Sequence, residues 1–138
     1  MKKFIFLEHT ADIKFQAFGK TLEECFENSA LAFAQAMYGG KVKDKKNKKI
    51  KVKGKDLESL LYNFLEELLF LLDSENFFLS KTKVKIKKKE DKYELNAELK
   101  GDNAKNYKIG LDVKAVTYNE MFVRKEGKKF ICQVVLDV

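Results

Sequence analysis

Proline and tryptophan are absent from this 138-residue chain, and histidine occurs once. Without proline, the turns fall to glycine, asparagine and aspartate. With one imidazole, any Ser–His or Cys–His arrangement would have to use His9. The two cysteines, Cys25 and Cys132, have no CxxC spacing and sit in apolar-periodic segments. They read as buried thiols, and nothing asks for an oxidising compartment. There is no GxGxxG, no Walker loop, no HExxH and no GxSxG, which argues against an autonomous hydrolase or a nucleotide-binding enzyme. No stretch approaches the ~18 apolar residues of a membrane span. The start, MKKFIFLEHTAD, begins like a signal peptide, but its apolar stretch runs only about five residues before Glu8 and His9, too short for an h-region. The expectation is a soluble, cytoplasmic protein with no membrane partner.

What is abundant is lysine. Lys and Arg number 28 against 21 Asp and Glu, a formal charge of +7. That balance reads either as affinity for an acidic partner such as nucleic acid or as plain solubility. An apolar fraction of 45% supports one hydrophobic core, and the length predicts a single domain over residues 1–138.

The pattern along the chain is regular. DIKFQAF (12–18) alternates, with Ile13, Phe15 and Ala17 on one face, as in a half-buried strand with Asp12 on its wet side. Thr21 opens TLEE, a capping-box sequence with Glu24. Leu22, Cys25, Phe26, Ser29, Ala30, Phe33 and Met37 then mark an amphipathic helix stopped at Gly39 and Gly40. Residues 41–55 carry nine lysines and alternate weakly through Ile50 and Val52. They read as an edge strand guarded by lysine, or as an RNA-binding segment. Asp56 caps a second helix with a wide leucine stripe from Leu57 to Leu72.

Residues 82–99 read as a hairpin turning in KKEDK, with Lys83, Lys85 and Lys87 facing Glu94 and Glu98 across the strands. YKIGLDVKAVTY reads as a longer strand, and a last hairpin runs from MFVRK through a Glu126-Gly127 turn into KFICQVVLDV. That final strand is apolar on both faces, as a central strand is. The order predicts an α+β sandwich of mostly antiparallel strands with both helices packed on one sheet. The two strand–helix–strand stretches have the form of a duplication without sequence identity to support it.

One constellation has chemical interest. Asp12 opens the DIKFQAF strand and Asp137 ends the last one. If those strands are neighbours, the two carboxylates meet, with the terminal carboxylate of Val138 in reach. Three such groups would repel one another unless a hard cation such as Ca²⁺ or Mg²⁺ relieved them. The plainer reading makes Asp12 a turn cap, Asp137 a solvated acid and His9 a loop hydrogen-bonder. On spacing alone the plainer reading carries more weight.

Five blocks change that weighting: EHTADI, TLEECFENSALAFAQAMY, DLESLLYNFLEELLFLLD, VKAVTYNEM and VVLDV. In this order, across nearly the whole chain, they resemble the archease family. The sequence departs from that family at Lys14, where glycine usually follows HTADI, and at Asn119, where histidine usually follows KAVTY. The resemblance implies a two-layer α+β fold and a non-enzymatic role. It implies an activator of the tRNA-splicing RNA ligase RtcB, promoting its guanylylation and multiple turnover, with tRNA a partner only through the ligase and no small-molecule substrate of its own. It also implies a divalent-metal site, calcium before magnesium or manganese, held by Asp12, Asp137 and Val138. His9 and Lys114 would then stand around that site or face the partner, since neutral imidazole suits softer metals than Ca²⁺.

Overall fold

The computed structural model describes residues 1–9 and 11–138. Its elements are β1 (Phe4–Leu7), β2 (Ile13–Gly19), α1 (Leu22–Met37), β3 (Lys46–Gly54), α2 (Leu57–Glu75), β4 (Phe77–Lys89), β5 (Lys92–Asn103), a short 3-10 turn at Ala104–Asn106, β6 (Ala115–Glu126) and β7 (Lys129–Asp137). Every strand pair is antiparallel. The strands divide into two sheets, ordered β1-β2-β7-β6 and β3-β5-β4. The expected α+β architecture is therefore present. The helices, however, are not laid on one sheet. The carboxylate of Glu27 on α1 accepts from the Val84 N–H of β4, while Asn28 on the same helix donates to the Phe18 carbonyl of β2. Helix α2 likewise reaches Lys53 of β3 through Asn63 and Val123 of β6 through Glu58. Each helix thus touches both sheets, because its apolar stripe is wide enough to bury against two surfaces.

This topology is a βαββ unit (β3-α2-β4-β5) inserted into another (β2-α1 … β6-β7). In both, the leading strand pairs with the second strand of the hairpin. The correspondence is also written in the sequence. Gly19-Lys20-Thr21-Leu22-Glu23 and Asn28 align with Gly54-Lys55-Asp56-Leu57-Glu58 and Asn63. The expectation that identity was lacking is therefore corrected, and each conserved type has a matching job. Asn28 and Asn63 each donate to a carbonyl of the preceding strand. A Cβ on Gly54 would stand 2.5 Å from the Leu60 nitrogen, and one on Gly19 would collide with the Cys25 nitrogen. Only glycine lets the helix backbone lie so close to the strand end.

Some local expectations shift. Asp56 and Ser59 form a complete capping box, but at α1 the box is half made: Thr21 accepts from the Glu24 N–H, while the Glu24 carboxylate accepts from Lys20 rather than from the cap. Residues 107–114 are not strand, so β6 begins only at Ala115, and MFVRK continues that strand instead of starting a new one. The run 107–114 forms no strand ladder; its backbone is tied by Gly110 N–H to the Met37 carbonyl and, at its end, by Lys114 N–H to the Asp137 carbonyl of β7. The last turn lies at Gly127-Lys128, with Gly127 at φ 62°.

One core joins both sheets and both helices, centred on Phe15, Phe26, Leu60, Phe64, Leu95 and Leu136. Within it the fully buried Cys25 thiol donates to the Cys132 sulfur at 3.0 Å, with no disulfide between them. Burial, and then the Cys25 neighbour, push the Cys132 thiol well above its usual range. These are the buried thiols the sequence implied.

Candidate functional site

The site grows from strand register. In the β2–β7 pair, Ile13 faces Leu136. One further step along each chain brings Asp12 and Asp137 together at the same end of the four-stranded sheet. On the other side of β7, Ala115 faces Asp137, and the Lys114 N–H donates to the Asp137 carbonyl at 2.8 Å. Asp12, Lys114, Asp137 and Val138 therefore meet at one sheet end, as the spacing argument required. The Asp137 side chain is exposed, Asp12 is half-buried, and Val138 packs partly against the core.

His9 belongs to the same end. Its Nδ1 stands 3.5 Å from an Asp12 carboxylate oxygen. That nitrogen is buried and makes no hydrogen bond among the described residues. Its Nε2 pairs with the Glu120 carboxylate at 2.9 Å. Ala11, between the two, is held at φ 65°, a left-handed geometry that costs a non-glycine residue about 1–2 kcal/mol. Such strain persists only where the surroundings over-determine it, and it gathers at functional sites.

Glu120 was not legible as a site residue. It lies in the irregularity of β6 between Thr117 and Phe122, also at positive φ (54°). This bulge folds over β7, so that the Glu120 carbonyl accepts from Gln133 and its side chain reaches both His9 and Lys14, the latter at 3.1 Å. The hydrogen bond from His9, then that from Lys14, hold its carboxyl below the usual range. A bulge re-aims a side chain across its neighbour strand, and no local periodicity announces it. The only signal available was the pair of departures from the family pattern. Lys14 is the partner of Glu120, and Asn119 precedes Glu120 in the same bulge, so both departures fall in one place.

Beside the bulge, Tyr118 of KAVTY is 53% exposed. It stacks on Tyr62 of α2 with ring centroids 4.2 Å apart and planes within 8°. Lys114, four residues before Tyr118, is exposed to solvent.

For a cation, the donor set is of the right kind. Asp12 and Asp137 are hard oxygen ligands of the sort Ca²⁺ and Mg²⁺ take, and the unmatched His9 nitrogen beside Asp12 marks an end whose polar groups are not all satisfied within the protein. Among the described residues, no three His, Cys, Asp or Glu side chains are gathered as a metal group. No helix is long and apolar enough to cross a membrane.

Known proteins match the whole of this arrangement. The model of the archease protein family matches residues 4–138. Protein archease of Pyrococcus abyssi is 39% identical over the full length of both chains, and that of Thermococcus kodakarensis 42%, again over both full lengths. The solution structure of Methanobacterium thermoautotrophicum protein 1598 superposes with a TM-score of 0.88 at 38% identity, covering 100% of each chain. The HTAD loop, the β6 bulge and the VVLDV end are thus held in a fold that these relatives share, and the chain belongs to the archease family.

Proposed function

We propose that this protein is a non-enzymatic activator of the RNA ligase RtcB, acting in tRNA exon ligation by promoting guanylylation and turnover of the ligase. The observation that carries the reading is the β2–β7 register, which brings Asp12 and Asp137 to one sheet end beside Val138. In this reading Asp12, Asp137 and Val138 hold a divalent cation, calcium before magnesium or manganese. Such an ion neutralises phosphate charge during phosphoryl transfer.

The chain's own residues supply the rest. The Lys114 N–H fixes the backbone of Asp137. His9 stands between Asp12 and Glu120, linking the carboxylate of the one to that of the other. The stacked Tyr62–Tyr118 pair offers an exposed aromatic anchor for a protein partner, of the kind that dominates interface energetics. The Lys114 side chain meets acidic ligase groups or nucleotide phosphate. The protein has no reaction of its own.

The test is ligase guanylylation with GTP and divalent metal, with sub-stoichiometric amounts of this protein. The wild type should raise the rate of labelled-intermediate formation. Asp137→Ala, with an unchanged melting temperature, should lose most of that stimulation, by at least about tenfold, since even losing a group that only hydrogen-bonds a metal ligand costs that much. A folded Asp137→Ala that stimulates fully would overturn the proposal. Two glycines appended after Val138 should act like Asp137→Ala if its carboxylate is a ligand.

A further inference from the structure

We propose a second binding surface, the outer face of the three-stranded sheet, whose ligand is the phosphodiester backbone of an RNA stem. The registers build it row by row. Lys49 lies beside Glu98, which lies beside Lys83. Lys51, Asn96 and Lys85 form the next row, and Lys53, Glu94 and Lys87 the third. Adjacent strands are about 4.8 Å apart and same-face residues about 6.8 Å apart along a strand. The six lysines therefore form two parallel columns roughly 10 Å apart, on either side of the β5 column. Between them runs a shallow trough of about 410 Å³, lined by Lys49, Lys83, Lys85, Asn96 and Glu98.

The two acids of the central column, Glu94 and Glu98, offset only part of the charge of the six lysines. Glu94 is buried to 8% exposure and is taken up by Lys51 and by Lys89, at 3.8 and 3.6 Å. Among the described residues, Lys49, Lys53, Lys83, Lys85 and Lys87 make no ion pair, and all are exposed. β3 and β4 are both edge strands. Guarding edges explains lysine on each of these strands. An excess of lysine over acid on one flat face, six against two, is what a polyanion selects. No aromatic side chain lies on this face. Single-strand binders use aromatics to stack bases, whereas a double-helical RNA keeps its bases paired and offers phosphates and 2′-hydroxyls. The charge complementarity and the lack of stacking groups point together to a stem. None of these lysines belongs to the His9–Asp137 end, and the inference does not rest on the ligase reading.

The experiment is fluorescence anisotropy with a labelled RNA hairpin, titrated in potassium chloride. The wild type should bind at about 50 mM salt with a steep log–log salt dependence, each phosphate contact contributing about 0.9 to the slope. The triple variant K83Q/K85Q/K87Q should lower the slope by about 2–3 and weaken binding at least about tenfold. The variant K125Q/K128Q/K129Q removes the same charge from the β6–β7 turn and should stay within about twofold of wild type, since only a contact changes the slope. Thermal melts confirm that both variants fold. Absence of wild-type binding at 50 mM salt would overturn the proposal. So would equal losses in the two variants, tighter binding of an unstructured single strand than of the hairpin, or binding only to an acidic polypeptide.

Discussion

Single carboxylates carry much of the local order. Asp102 is 5% exposed at the end of β5. It accepts from the Tyr107 hydroxyl at 2.8 Å, from the Asn103 N–H and from Asn106, and the Tyr107 bond leads in holding its carboxyl below the usual range. Glu120 is lowered in the same direction by His9 and Lys14. A carboxylate whose pKa is depressed by folding binds its proton more weakly in the native state. It stabilises the fold above the unfolded value of about 4, and that contribution disappears as pH falls through the folded value. Stability measured by denaturant melts should therefore be flat from about pH 7 to 5 and decline below about pH 4. Asp102→Asn and Glu120→Gln should each start less stable at pH 7 and show a shallower acid decline. An unchanged decline in both would mean these partners do not hold the groups as charged species. Asp12 and His9 were visible in the sequence because they sit in a short motif with a strand start. Glu120 was not, because its partners lie 106 and 111 residues away, and only the bulge turns it toward them.

At the scale of elements, the glycines before each helix are the sharpest constraint. Gly19 and Gly54 end β2 and β3 where the next helix passes close enough to exclude a Cβ. The obstacle in both cases is helix backbone, which cannot rotate out of the way. Gly19→Ala and Gly54→Ala should each destabilise by about 1–3 kcal/mol, the usual range for overpacking, and by similar amounts, since the two positions are equivalent in the two βαββ units. Urea denaturation checks this. A neutral Gly54→Ala would show that α2 can shift away from β3. Alternation and capping residues announced both helices, the β4–β5 hairpin and the central β7 strand, because those patterns are local. The length of β6 was misjudged from local pattern. Residues 107–114 look like a strand, but they form no ladder: Gly110 bonds the end of α1 at Met37, and only Lys114 reaches β7, at Asp137.

For the whole molecule, the crossing of helices between sheets decides how it unfolds. The inserted unit, β3 to β5, cannot release its core alone, because α1 packs against β4 and α2 against β6 as well as against their own strands. Phe64 of α2 is fully buried and stacks on Phe26 of α1, ring centroids 6.3 Å apart. Phe64→Ala should cost about 3–5 kcal/mol, and the loss should appear as one lowered transition. Tyrosine fluorescence and far-ultraviolet circular dichroism should still coincide, as in two-state unfolding. Two separate transitions would show that the inserted unit is an independent domain.

The sequence by itself determined the element types, the buried thiols, the edge position of the lysine-rich strand and the family, because periodicity, caps and short motifs are properties of neighbouring residues. It also held the duplication, in the repeated Gly-Lys and Leu-Glu around each helix start, although the register was needed to see why those residues recur. Tertiary structure alone decided the division into two sheets, the seating of each helix against both, the approach of Asp12 to Asp137, and the two lysine columns drawn from β3 and β4. Each of these depends on strand order and register between segments far apart in the chain. They are settled by which surfaces can be buried together, and no local pattern encodes that.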